Sequence, residues 1–99
     1  MPRVVWTEDA EDQLTFVRSD AIVDDLVALA AGLSRFPSRG RRVPESEGVG
    51  PYDIVREVIL PGKARLFYLF IPDSDEVIIL GLLTGGQQFR PGILRHYFD

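Results

Sequence analysis

The chain has 99 residues, 45% of them hydrophobic and 26% charged, with a formal net charge of −4 and no cysteine. That length fits one domain spanning residues 1–99 and excludes two, and the composition is that of a folded globular protein and not of a disordered chain. Without cysteine there are no disulfides and no thiolate metal sites, and no apolar run approaches the roughly 20 residues needed to span a bilayer.

The opening MPRVVWTEDAED holds no apolar stretch of signal-peptide length, so a cytoplasmic location with no membrane partner is expected. Charge is unevenly spread. Glu8, Asp9, Glu11, Asp12, Asp20, Asp24 and Asp25 face a lone Arg18, whereas Arg35, Arg39, Arg41 and Arg42 occupy a stretch free of acids. The net charge argues against non-specific nucleic-acid binding, which depends on neutralising phosphates.

Arg3–Trp6 reads as a short strand. Thr7 is placed to cap a helix whose first turn carries Glu8 and Asp9, and Ala10, Leu14 and Val17 repeat at helical spacing. Arg18-Ser19-Asp20 reads as a break and a second cap. Ile22, Leu26, Leu29, Leu33 and Phe36 then form an apolar stripe at spacings of 4, 3, 4 and 3, which predicts a helix stopped before Pro37. Two helices joined this closely form an αα-hairpin that must pack on something flat.

Residues 37–51, rich in proline and glycine, read as a loop. The period then changes to two. Asp53–Leu60, Lys63–Ile71 and Glu76–Leu83 read as strands of an antiparallel meander, joined at Pro61-Gly62 and at Pro72-Asp73-Ser74-Asp75. The last strand is apolar on both faces and so belongs inside the sheet. Pro91–Phe98 reads as a short final helix. The expected fold class is α+β, in the order β-α-α-β-β-β-(α): a small, mainly antiparallel sheet with the αα-hairpin on one face.

A two-residue turn at Pro61-Gly62 would pair Arg56 with Phe67 and Val58 with Arg65. Arg56 and Arg65 would then share one sheet face as an anion site, since guanidinium forks match phosphate geometry. The alternative is that each pairs with a nearby acid, Glu57 or Asp53. The RGRR stretch at Arg39, Arg41 and Arg42 borders that face as a candidate substrate-binding surface, or is a solvated loop. Glu45 is a candidate general base or a surface ion-pair partner of Arg41 or Arg42. His96 is the only histidine and makes no metal site alone. Gly85-Gly86-Gln87-Gln88 matches no nucleotide-binding loop, so neither metal nor cofactor is expected.

The segments VVWTEDAEDQL at 4–14, RFPSRGRRVPE at 35–45, PYDIVREVILPGKARLFYLF at 51–70 and IILGLL at 78–83, in this order and spacing, resemble the RelE/ParE superfamily of toxins from bacterial type II toxin–antitoxin systems. The first two thirds are closest to YoeB-like members, and the tail GGQQFRPGIL is similar to HigB-like ones. The resemblance implies translation inhibition and growth arrest by a ribosome-dependent messenger-RNA endoribonuclease. It makes Glu45 the base and Arg65, from the R-x-x-Y strand motif, the stabiliser of the scissile phosphate. Arg56 takes approximately the place of a basic residue on the preceding strand. Where YoeB-like toxins carry a His-Tyr pair, this chain reads Leu83-Thr84-Gly85-Gly86, and His96 with Tyr97 is the displaced candidate. The implied partners are a cognate antitoxin, the ribosome and mRNA, in a homodimer or a toxin–antitoxin hetero-oligomer, with the acidic Glu8–Asp25 region facing a basic antitoxin segment. A ParE-like DNA gyrase poison acting by protein binding, and a non-toxic interaction module, stand as alternatives.

Overall fold

The computed structural model describes residues 1–43 and 54–85. Arg3–Trp6 forms strand β1, and Thr7 both ends it and starts helix α1, Glu8–Thr15. Thr7 Oγ1 accepts from the Ala10 N–H at 3.2 Å and donates to the Ile79 carbonyl at 2.8 Å. One hydroxyl thus caps the helix and ties it to a strand 72 residues away in sequence. Ser19 caps helix α2, Asp20–Gly32, by accepting from Ile22 N at 3.3 Å. Both caps are the ones the sequence predicts, because each is a hydroxyl set ahead of an apolar repeat.

The two predicted stripes pack together as expected. Ala10 and Leu14 from α1, Val17 just beyond it, and Ile22, Leu26, Leu29 and Leu33 from α2 and its end, join Val58, Leu66, Tyr68, Val77 and Ile79 in one core. Phe36 does not join them. The helix stops at Gly32 with Leu33 as its C-cap, and Phe36 is 65% exposed. Past the last helical turn the 3.6-residue period no longer directs side chains to the core face.

Among the described residues four further strands follow: β2 (Arg41–Arg42), β3 (Arg56–Leu60), β4 (Ala64–Ile71) and β5 (Glu76–Thr84). A 3-10 turn, Pro72–Ser74, closed by Asp75 in the left-handed region, joins β4 to β5. Among the described residues the sheet runs in the order β1-β5-β4-β3-β2. The meander β3-β4-β5 is antiparallel as predicted, and β1 pairs parallel to β5. Strand β5 lies inside the sheet, as its apolar faces require. β2 is a correction, since it occupies the RGRR stretch read as loop; two residues are too few to show a period in sequence.

The helices cover one face of the sheet. On the other, Val43, Val55, Phe67, Leu69, Leu80 and Leu83 form a second buried cluster. A bulge separates Phe67, opposite Gly81, from Tyr68, opposite Ile79, leaving Leu80 without a partner on β4. Beside it Gln13 of α1 accepts from the Leu82 N–H at 2.7 Å. No described helix is long and apolar enough to cross a membrane. The predicted helix at Pro91–Phe98 lies outside the described residues.

Candidate functional site

The β3–β4 hairpin decides what faces what. Its loop has three residues: Lys63 N donates to Leu60 O at 2.9 Å, Gly62 takes a φ of +71°, and Leu60 pairs with Ala64. The expected two-residue turn is therefore corrected, and with it the register. Ile59, not Val58, lies opposite Arg65, and Arg56 lies opposite Tyr68. A one-residue slip moves every side chain of a strand to the other face. Arg56 and Arg65 consequently lie on opposite faces of the sheet, and their convergence on a common ligand is overturned.

On the face away from the helices, Arg65 meets Glu57. Glu57 is 1% exposed, and Arg65 donates to its Oε2 from Nε at 2.7 Å and from Nη2 at 2.6 Å. Arg41, opposite Glu57 on β2, donates from Nε to Oε1 at 2.7 Å. Both carboxylate oxygens are thus engaged, one by each arginine. The Arg65 guanidinium also lies 5.2 Å from the centroid of the Phe67 ring, within range of a cation–π contact. Two positive charges against one negative leave this triad with an excess of one.

On the helix face Arg56 holds a loop. Its Nη1 donates to Gly40 O at 2.7 Å. The buried Tyr68 hydroxyl donates to Pro37 O at 2.8 Å and accepts from Gly40 N at 2.8 Å. Burial pushes the Tyr68 phenol above its ordinary pKa, while the Gly40 N–H and the charges of Arg56 and Arg39 pull it down. Position 40 must be glycine for a steric reason. A Cβ there would stand 2.6 Å from Glu57 O, and also from Tyr68 Cε1 and Oη. The segment from Pro37 to Gly40 is thereby clamped to the sheet, and the RGRR stretch starts from a fixed point.

Of the predicted site residues, Arg41 and Arg65 come together on Glu57. Arg39 joins their neighbourhood, lining with Arg41, Glu57, Val58 and Ile59 a cleft of about 220 Å³. Arg42 is exposed and lies opposite Arg56. Glu45, His96 and Tyr97 lie outside the described residues. β5 ends at Thr84, and Gly85 turns with a φ of +59°, its N–H donating to Lys63 O at 3.0 Å. Among the described residues no group of three or more histidine, cysteine or acidic side chains gathers to hold a metal.

Two residues carry more than the sequence reading assigned them. Glu57 enters that reading only as an alternative ion-pair partner, although an acid inside a β-rich segment already signals a buried charge needing cations. Tyr68 is the tyrosine of the R-x-x-Y motif, and its hydroxyl, not its ring alone, is what the loop uses. Together the geometry makes a guanidinium-rich face with a buried carboxylate beneath it, suited to receiving an anion through the terminal N–H groups of Arg41.

No protein-family model matches the sequence, and no curated protein matches it. Solved structures do. A chain of the toxin–antitoxin complex RelBE2 from Mycobacterium tuberculosis is similar with a TM-score of 0.70 and 25% identity, the match covering 85% of this chain and 99% of that one. The isolated E. coli RelE toxin is similar with a TM-score of 0.64 and 10% identity, covering all of both chains. A chain of the intact E. coli RelBE complex is similar with a TM-score of 0.63 and 11% identity, covering 89% of this chain and 100% of that one.

Proposed function

We propose that this chain, which has the RelE/ParE-like fold, is the toxin of a type II toxin–antitoxin pair, inhibits translation by cutting mRNA on the ribosome, and is held inactive by a cognate antitoxin. The observation that carries the reading is the match to RelE-type chains over essentially their full length, reaching 25% identity with the M. tuberculosis chain. The arginine face supports it, because phosphodiester cleavage requires stabilisation of developing negative charge. In this reading Arg39, Arg41 and Arg42 hold the RNA strand, Arg65 contributes charge at the scissile phosphate, and Glu45 is the base. Arg56 acts through the Pro37–Gly40 loop and not on the substrate. His96 and Tyr97 are the candidates for the leaving-group acid.

The test is mRNA cleavage on purified ribosomes beside an active control toxin, with Arg39→Ala and Arg41→Lys as probes, the lysine keeping a positive charge beside the buried Glu57 while removing the guanidinium fork. Cleavage that falls in both variants supports the proposal. Intact mRNA beside an active control sinks it. Co-purification with the product of an adjacent gene tests the antitoxin.

A second reading, a ParE-like gyrase poison, is favoured by one observation: Arg65 is engaged with Glu57 and Arg56 points to the other face. A protein that acts by binding gyrase needs no convergent cutting set, and an acidic net charge suits it. Loss of supercoiling by purified gyrase supports that reading, and unaffected supercoiling at saturating protein rejects it.

A further inference from the structure

Phe36 is an aromatic side chain left in the open on a backbone that is fixed on both sides. Its N–H donates to Gly32 O at 3.3 Å and its carbonyl accepts from Arg39 N at 3.0 Å, while the next carbonyl, that of Pro37, accepts from the buried Tyr68 hydroxyl. Around it Arg35, Pro37, Ser38 and Arg39 line a surface depression of about 520 Å³ among the described residues. Arg39 also lines the smaller cleft that holds Arg41 and Glu57, so the two depressions share one residue. Among the described residues the guanidinium groups of Arg35 and Arg39 have no hydrogen-bond or ion-pair partner. Arg41 spends only its Nε on Glu57.

An exposed ring flanked in sequence by arginines that are unpaired among the described residues suits single-stranded nucleic acid: the ring takes a base face and the cations track the backbone. A protein contact would also use an exposed ring, and the unpaired cations beside it are what favour a polyanionic strand. We infer that Phe36 is a stacking platform for one base of a single-stranded RNA, whose adjoining phosphates run over Arg39 toward Arg41. This rests on the RNA-directed reading above and deepens it by naming where the strand enters.

The test is direct binding by the full chain without ribosomes, so that it is separate from cleavage. Fluorescence anisotropy is measured with a labelled single-stranded oligoribonucleotide and with its abasic counterpart, over a range of salt. The wild type is expected to bind the base-bearing strand about tenfold more tightly, as one stacked base supplies. Phe36→Ala removes that difference and leaves the salt slope unchanged, and Phe36→Trp keeps it. Arg39→Gln keeps the difference and reduces the salt slope by about 0.7, the value of one phosphate on a single strand. Equal binding of both strands by the wild type, or no binding of either, overturns the inference and leaves Phe36 to a protein contact. So does a preference that survives Phe36→Ala. An mRNA cleavage failure with the base preference intact would instead reject the endoribonuclease reading alone.

Discussion

Arg65 donates from two of its nitrogens to a single oxygen of Glu57, at 2.7 and 2.6 Å, beneath a sheet face where the carboxylate is all but closed to solvent. A charge in that position is tolerable only while it is paired, because removing one partner leaves an uncompensated ion out of water. Arg65→Ala is therefore expected to lower stability by about 3 kcal/mol, the lower end of the range for a broken buried pair since Arg41 still holds the other oxygen. Chemical denaturation measures it. Combining Arg65→Met with Glu57→Gln should restore at least half of the loss. A single-variant loss under about 1 kcal/mol would mean that the pair is surface-like.

The Tyr68 hydroxyl satisfies two backbone groups at once, Pro37 O and Gly40 N. Tyr68→Phe keeps the ring and strands both, which costs about 1–3 kcal/mol. Hydrogen exchange at Gly40 should accelerate while exchange within β4 and β5 holds. Unchanged exchange at Gly40 would argue against the clamp.

The same hydroxyl sets an alkaline limit. Its folded-state pKa is raised by burial, so the folded form holds the proton more tightly than the unfolded chain. The contribution is complete below the ordinary tyrosine value of about 10 and is lost as pH climbs through the folded value. Denaturation midpoints should fall above pH of about 10 in the wild type, and fall less steeply in Tyr68→Phe. Equal slopes in the two proteins would remove Tyr68 as the cause.

At the opposite edge the partly exposed Glu76 carboxyl is held below its ordinary pKa by the hydrogen bond from Arg3, with Ser74 adding to it. A lowered pKa gives stability that is present above the unfolded value and lost as pH falls through the folded one. Carboxyl-carbon NMR should show Glu76 titrating below the exposed glutamates, and Arg3→Gln should raise it toward them. The pair is solvent-facing, so the readout is the titration and not the melting point.

Gly40→Ala puts a methyl group against a strand carbonyl and a fixed tyrosine ring. Neither neighbour is the free end of a flexible side chain, so the loop must move. The expected loss is about 1–3 kcal/mol, as for overpacking elsewhere, with weaker RNA binding because Arg39 and Arg41 flank the displaced residue. A variant as stable as the wild type would show that the segment has room to shift.

The elements of this fold were legible where a local signal was strong. Thr7 and Ser19 announced their helices, and the stripes from Ala10 to Leu33 named the core, because capping and helical periodicity act over a few residues. The candidate site was legible by residue type but not by side. Strand β3 reads REVIL and β4 reads ARLFYLFI, apolar on both faces, so alternation could not choose between registers. The choice fell to loop length, and Pro61-Gly62 looks like a two-residue turn until Lys63 is seen to close it. That single residue moved Arg65 away from Arg56 and onto Glu57. Phe36 was misplaced for a related reason: helical spacing persists in the sequence past the point where the helix ends.

The pairing of β1 with β5 also has a consequence for the order of events in time. Arg3 lies opposite Glu76, and the bond between their side chains closes a span of 73 residues, the kind of distant contact that slows a fold. The meander β3-β4-β5 needs only near neighbours. Among the described strands β1 pairs only with β5, so during translation it waits until β5 has been made.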